Sequence, residues 1–145
     1  MIDYQKILNQ NMIGVLVDVL EHIKEYSINQ NQLYITFLTK HESVKIPNWL
    51  IKKYPKEMTI VIQFEYYNLK INKKNFSITL SFNDIKTELK IGYSSIISFA
   101  DPSVNFGLIL QNRKIEKKLN KNFDKDKSKG GNIINFSKYK KNHSK

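Results

Sequence analysis

The chain has 145 residues, a formal net charge of +11, no cysteine and one tryptophan. This length suits a single domain, and a chain without cysteine has no disulfide bonds, thiolate metal sites or thiol catalysis. The N-terminal segment carries Asp3, Asp18 and Glu21 and no basic leader, so we expect neither a signal peptide nor a membrane span, and we expect a cytoplasmic protein.

The positive charge is concentrated in one segment. Residues 113–145 contain twelve Lys/Arg and three Asp/Glu, a net +9, whereas residues 1–112 contain twelve and ten, a net +2. Only Arg113 is arginine among the basic residues, although base and phosphate recognition favours the bidentate guanidinium group. We therefore interpret 113–131 as a solvated basic linker, and nucleic acid is not the partner that we expect first.

An amphipathic helix is predicted over residues 3–25, with Asp3 as its N-cap. Its apolar residues recur at spacings of three and four and are Leu8, Met12, Val15, Leu16, Val19, Leu20 and Ile23. Ile13 and Val17 lie off this stripe, so the helix is apolar over more than one face. The surplus face either packs on the same domain or meets a second copy of the chain.

Beyond this helix the apolar period changes to two, which is typical of strands. Seven segments are predicted as strands, namely 33–39, 58–66, 68–72, 76–82, 87–91, 95–99 and 105–110. Residues 72–75 and 82–85 suit hairpin turns, and 47–54 predicts a short helix. The short connections exclude parallel crossovers, so we expect a mainly β (α+β) fold in which the helix precedes a small antiparallel β-barrel or sandwich.

No constellation of catalytic or metal-binding residues is evident. The three histidines, His22, His41 and His143, lack ligand spacing, and Ser94 and Ser95 lack the glycines of a nucleophile elbow. We therefore expect no enzyme activity, no metal and no cofactor.

Four segments together resemble a known family. They are LYITF at 33–37, YPKEMTIVIQ at 54–63, LSF at 80–82 and FADPSVNFGL at 99–108, and they are similar to the stringent starvation protein B (SspB) family in its alphaproteobacterial form. The resemblance spans residues 3–110. The terminal IINFSKYKK at 133–141 is also similar to the short hydrophobic and basic motif that ends members of this family.

The resemblance implies an adaptor protein with an SspB-like, Sm-like β-barrel. Such proteins bind the ssrA degradation tag that transfer-messenger RNA adds to proteins from stalled ribosomes, and they deliver the tagged protein to the ClpXP protease. It further implies a homodimer formed through the N-terminal helix, and docking of the terminal peptide on the zinc-binding domain of ClpX. Residues 1–112 are then the substrate-binding and dimerisation domain, 113–131 a disordered linker, and 132–145 the docking peptide.

Three sets of site residues follow as expectations. The peptide-binding groove comprises Pro47, Trp49, Leu50, Tyr54, Met58, Ile60, Thr79, Leu80, Ser81 and Phe82. The dimerisation set comprises Met12, Ile13, Leu16, Val19, Leu20 and Ile23. The ClpX-docking set comprises Ile133, Ile134, Phe136, Tyr139, Lys140 and Lys141.

One alternative from another class stays open. An Sm-like β-barrel that binds RNA would use the basic segment as an electrostatic arm, and its binding would weaken steeply with salt. An uncharacterised hydrolase is a third and weaker interpretation.

Overall fold

A computed structural model describes residues 1–27 and 30–111. The predicted linker at 113–131, the docking peptide at 132–145 and the six ClpX-docking residues lie outside this part of the chain. The elements, in chain order, are α1 (Tyr4–Tyr26), β1 (Leu33–Leu38), α2 (Asn48–Lys53), β2 (Glu57–Ile62), β3 (Tyr67–Ile71), β4 (Asn75–Phe82), β5 (Ile85–Gly92), β6 (Ile96–Asp101) and β7 (Phe106–Ile109). Single 3₁₀ turns at Tyr93–Ser95 and Pro102–Val104 precede the last two strands.

The first helix begins where the sequence predicts. The side chain of Asp3 accepts a hydrogen bond from the backbone N–H of Lys6 at 3.0 Å, which satisfies one of the free donors of the first turn. One face of α1 is buried against the sheets, and its residues are Met12, Leu16, Leu20 and Ile23. The predicted helix and its N-cap are therefore confirmed.

The strands pair into two antiparallel sheets. Sheet A has the order β2-β1-β6-β7, and sheet B has the order β3-β4-β5. Sheet B is a meander of two hairpins, as the short predicted turns require. Sheet A pairs β1 with β6, so that Ile35 lies opposite Phe99 across a gap of more than sixty residues in sequence.

The predicted barrel is not closed among the described residues. Strands β2 and β3 follow each other in sequence, yet each stands at the edge of its own sheet, and a closed barrel requires every strand to be paired on both sides. An isolated bridge instead attaches the segment after β1 to strand β5 of sheet B, where Lys45 and Lys90 exchange backbone hydrogen bonds of 2.8 and 3.0 Å. The correct description is a helix on two facing antiparallel sheets.

Alternating residues of both sheets fill the core. The largest fully buried side chains are Phe37, Phe76 and Phe99, one in sheet B and two in sheet A. Each side chain of this size contributes about 1.5–3 kcal/mol when it leaves water. The core therefore joins the two sheets through side chains where the backbone ladders do not.

The hairpin between β4 and β5 ends in a two-residue turn. Asn83 and Asp84 have φ values of 52° and 66°, the pattern of a type I′ turn, in which asparagine and aspartate tolerate positive φ. The turn places Phe82 directly opposite Ile85. Strand β2 is shorter than predicted because it ends at Ile62, and Phe64 beyond it is 77% exposed.

Candidate functional site

Helix α2 and the end of the β4–β5 hairpin form an exposed aromatic surface. The rings of Trp49 and Phe82 meet edge to face, with centroids 6.3 Å apart and planes at 79°. Trp49 is 40% exposed, and Ile85, opposite Phe82 in the hairpin, is 57% exposed. We refer to Trp49, Phe82 and Ile85 as the aromatic surface.

The position of Trp49 follows from how α2 is anchored. Pro47 is the N-cap residue of this helix, and its fixed φ is preorganised for a helix start. Leu50 is almost completely buried, and adjacent residues of a helix point about 100° apart. Because Leu50 enters the core, Trp49 is turned outwards beside the hairpin.

The C-terminal end of α2 is also held in place. Its last turn is closed by the Tyr54 N–H, which donates to the carbonyl of Leu50 at 2.8 Å. The Thr39 hydroxyl donates to the carbonyl of Tyr54 at 2.7 Å. Tyr54 thus marks the point at which α2 is bound to the end of β1, and its own ring stays at the surface.

A polar strip lies on the outer face of sheet B. Thr79 of β4 is paired with Tyr67 on one side and Glu88 on the other, and Ser81 is paired with Lys86. The Lys86 ammonium group lies 4.3 Å from the centroid of the Tyr67 ring, within the range of a cation–π interaction. The strip therefore offers hydroxyl groups, one cation and one aromatic face side by side.

The predicted residues of the peptide-binding groove fall into two groups, one accessible and one buried. Those with accessible side chains are Pro47, Trp49, Tyr54, Thr79, Ser81 and Phe82. Those buried in the core are Leu50, Met58, Ile60 and Leu80. The structure brings Trp49 and Phe82 together, while the four core residues lie beneath the surface and support it.

Sequence reasoning did not single out three neighbours of this surface. Ile85 follows a predicted turn, and a lone apolar residue beside a turn carries no signal of its own. Tyr67 and Lys86 are 19 positions apart, and only the pairing of both β3 and β5 with β4 brings them into contact. The predicted hairpin turn at 82–85 could have identified Ile85 as a neighbour of Phe82, because a two-residue turn sets these two residues opposite each other.

The predicted dimerisation residues also fall into two groups by burial. The buried ones are Met12, Leu16, Leu20 and Ile23, and the half-buried ones are Ile13 and Val19. A different set of apolar side chains is exposed along one side of α1, and it consists of Tyr4, Leu8, Val15 and Tyr26. We call these four residues the helix stripe. All six predicted dimerisation residues therefore lie in the protein's own core or at its border. The helix stripe lies beside them and faces outwards.

A groove lies between the C-terminal half of α1 and the turn that leads into β7. Its volume is about 410 Å³, and its apolar lining includes Val15, Val19, Leu33, Val104 and Phe106. One edge is fixed by Asn31, whose amide donates to the Asp101 carboxylate at 2.6 Å. We refer to it as the helix–turn groove.

One phenol of the described residues has a perturbed pKa. Burial, with a smaller effect of the Glu21 charge, raises the pKa of the Tyr93 phenol above its ordinary value, and this hydroxyl donates to the Asn72 carbonyl at 2.8 Å. No group of three or more potential metal ligands is found in the same part of the chain. The described helices also include none of the length and apolarity that crossing a membrane requires.

The described residues form a helix on two antiparallel sheets with exposed aromatic and apolar surfaces. The family model of stringent starvation protein B matches residues 6–145. This match covers nearly the whole chain, which therefore belongs to the stringent starvation protein B family. No curated protein matches the chain. Membership of the family supports a general role as an adaptor of the ClpXP protease.

Proposed function

We propose that this protein binds ssrA-type tags on proteins from stalled ribosomes and tethers them to ClpXP in the cytoplasm. The family supports the general adaptor role. The observation that carries peptide recognition is the exposed contact between Trp49 and Phe82. Aromatic side chains held in position by a buried anchor bind peptides at low conformational cost.

The aromatic surface suits an extended peptide. An extended peptide alternates its side chains, so every second apolar side chain would contact Trp49 and Phe82. The Thr79 and Ser81 hydroxyls lie on the opposite face of β4, so as predicted groove residues they would act in a separate contact. Pro47 and Tyr54 border the same helix and complete the accessible set.

We further propose that two copies associate through the helix stripe. Tyr4 is 74% exposed, Leu8 and Val15 are each 40% exposed, and Tyr26 is 61% exposed, which is a large apolar surface to leave in water. An isologous interface is the commonest way to cover such a helix face. Ile13 and Val19 border the stripe. The four buried residues of the predicted dimerisation set would hold α1 in place without contacting the second copy.

The third element is the proposed docking peptide. Ile133, Ile134, Phe136, Tyr139, Lys140 and Lys141 lie outside the described residues and remain the proposed contacts with the zinc-binding domain of ClpX. The nineteen residues of 113–131 have a root-mean-square reach of roughly 25 Å if they behave as a flexible chain. Two peptides on one dimer would strengthen a modest contact through effective concentration.

Degradation of a tagged reporter tests this scheme. The measurement compares ClpXP alone, ClpXP with the full chain, and ClpXP with a chain ending at Gly131. The truncated chain should bind the tag peptide as tightly as the full chain does, because the aromatic surface is intact, yet it should stimulate degradation no more than buffer. Equal stimulation by the two chains would show that 132–145 is not the docking peptide. No observation on residues 1–27 and 30–111 supports the RNA-binding alternative.

A further inference from the structure

The outer face of sheet B carries three lysines in line with one serine. Ser77 of β4 is paired with Lys70 of β3 on one side and with Lys90 of β5 on the other. Lys90 is in turn paired with Lys45, in the segment before α2. Directly opposed residues of antiparallel strands have their side chains on the same face. We refer to Lys45, Lys70, Ser77 and Lys90 as the lysine row, which lies beside the polar strip.

The charge of the lysine row is not balanced by its neighbours. All three lysine side chains are exposed, and none forms an ion pair with a described residue. Lys45 and Lys90 stand directly opposite each other, which is an unfavourable arrangement of like charges. Glu88, two positions before Lys90 on β5, is paired with Thr79. The row therefore presents positive charge that an anionic group would compensate.

The excess of positive charge extends over sheet B. Residues 43–46 and 67–92 contain six lysines and two acidic residues, a net +4. The rest of 1–112 contains six lysines and eight acidic residues, a net −2. Long-range attraction therefore directs an acidic partner to this sheet rather than to the remainder of the folded body.

Ser77 is an independent indication of a ligand. It is only 5% exposed, yet its hydroxyl makes no hydrogen bond to a described residue. Buried polar groups without a partner are uncommon in folded proteins. A serine hydroxyl donates well to a carboxylate, and the flexible lysine side chains on both sides can move aside to admit one. The unpartnered hydroxyl and the uncompensated charges thus call for the same kind of ligand.

The width of the lysine row suits an extended chain with several charges. From β3 to the segment of Lys45 the row crosses three strand spacings, about 14 Å. An extended peptide of about five residues covers this distance, and its alternate side chains lie on one side about 7 Å apart. Acidic residues at alternate positions would thus each come within reach of an ammonium group.

Single-stranded nucleic acid fits this face less well. Proteins that bind such strands stack the bases on aromatic rings. The Tyr67 ring on this face already has the Lys86 ammonium group over it, 4.3 Å from the centroid. Lysine also lacks the bidentate fork with which arginine binds phosphate. The chemistry of the face therefore favours the carboxylates of a polypeptide.

We propose that the lysine row binds an acidic segment of a partner protein, held in extended form across sheet B. Outer carboxylates pair with Lys70 and Lys45. The middle carboxylate lies between Ser77 and Lys90 and accepts a hydrogen bond from the Ser77 hydroxyl. Ser77 is about 17 Å along β4 from Phe82, so this contact is separate from the aromatic surface and needs neither a tag nor ClpX.

Chemical-shift mapping tests the site in the full chain. The probe is the peptide Glu-Ala-Glu-Ala-Glu, and the control probe has glutamine in place of each glutamate. Amide signals of Ser77 and Lys90 should shift and saturate with the glutamate peptide alone. Signals of Thr36 and Thr59, whose hydroxyls bond each other on sheet A, should stay in place. Residues 113–145, with a net +9, also attract acidic peptides, and shifts confined to them would overturn the proposal.

Matched double substitutions test the charge. Lys70→Gln with Lys90→Gln removes two charges from the row and should raise the Kd of the glutamate peptide roughly tenfold, as measured from the Ser77 signal. Lys52→Gln with Lys53→Gln removes the same charge from α2 and should leave this Kd unchanged. Equal effects of the two double variants would mean general attraction to a basic protein and would overturn the site.

Ser77→Ala tests the buried hydroxyl. The variant should raise the Kd roughly fivefold, as measured from the Lys90 signal. Its urea midpoint should not fall, because no hydrogen bond of the folded protein is lost. An unchanged Kd would mean that the row is an ordinary solvated lysine surface, and the proposal would fail.

A single-stranded RNA of equal charge tests the class of partner. The glutamate peptide should shift the Ser77 signal at lower concentration than the RNA does. The opposite order would show that the face binds nucleic acid and would overturn the assignment to an acidic polypeptide. The wild-type shifts remain decisive if any variant fails to fold.

Discussion

Gly92 donates its backbone N–H to the carbonyl of Ser43 at 3.1 Å, and the two residues are so close that a Cβ at position 92 would overlap the Ser43 side chain. The contact lies two residues from the Lys45–Lys90 bridge. Gly92 therefore lets the segment after β1 lie against the end of β5.

Gly92→Ala should destabilise the fold. The added methyl group meets Ser43 with no free space, and overpacking of this kind costs about 1–3 kcal/mol. Gly14→Ala is the matched control, because nothing lies within 4 Å of a Cβ at that position of α1. It should raise the free energy of unfolding by about 0.5–1 kcal/mol through helix propensity. Urea unfolding measures both, and a Gly92→Ala protein as stable as wild type would contradict the packing described.

Trp49→Ala should weaken binding of a tag peptide. Aromatic residues at the centre of a binding surface commonly contribute about 2 kcal/mol or more, which corresponds to roughly a 30-fold rise in Kd. Anisotropy of a fluorescent tag peptide measures the Kd. The control is Val104→Ala, which removes an exposed apolar side chain from the helix–turn groove and should leave the Kd for the tag peptide unchanged. An unchanged Kd for Trp49→Ala would remove the aromatic surface from the proposal.

Leu8→Glu should separate the proposed dimer. Leu8 is 40% exposed in the single chain, so the substitution leaves the fold intact but buries an unpaired charge in an interface. A penalty of about 3 kcal/mol raises the dimer Kd by roughly two orders of magnitude. Sedimentation velocity reports the change, with Gln10→Glu on another side of α1 as control. A wild-type protein that sediments as a monomer would show instead that the stripe is not a dimer interface.

The Tyr93 phenol should make stability depend on high pH. Its pKa in the folded protein is raised above the ordinary value of 10.0, chiefly by burial, so the unfolded chain loses this proton first. The stabilisation is fully present below pH 10 and is lost as the pH rises through the folded pKa.

Comparison with Tyr93→Phe isolates this contribution. At neutral pH the variant lacks the 2.8 Å hydrogen bond to Asn72 and should be less stable by about 1 kcal/mol. The difference in unfolding free energy between the two proteins should shrink as the pH rises above 10. A difference that stays constant would mean that Tyr93 does not titrate differently in the folded and unfolded states.

Local signals were sufficient to predict the elements. The helix prediction at 3–25 corresponds to α1 at Tyr4–Tyr26, and the short helix at 47–54 corresponds to α2 at Asn48–Lys53. All seven strand segments form strands, because periodicity and turn residues act within a few positions of each other. The main error is at 58–66, where the apolar pattern continues although the backbone leaves β2 after Ile62.

Local sequence signals could not predict how the strands divide between two sheets, or which face of each strand is exposed. Periodicity shows that Met58 and Ile60 share a face of β2, but it does not show that this face is inside, which depends on how Leu50 and the opposite sheet cover it. Barrel closure likewise depends on pairing between β2 and β3, which the structure lacks. The predicted groove therefore mixed core residues with surface residues.

The pairing of β1 with β6 also has a consequence for the order of folding during synthesis. Sheet B consists of consecutive hairpins, so all of its partners are available once Gly92 has left the ribosome. Sheet A remains incomplete until β6 and β7 are made, because β1 lies between β2 and β6 and β7 pairs with β6. Non-local pairing of this kind is slow to form, and until then the edge of β1 that β6 will cover stays unpaired in the nascent chain.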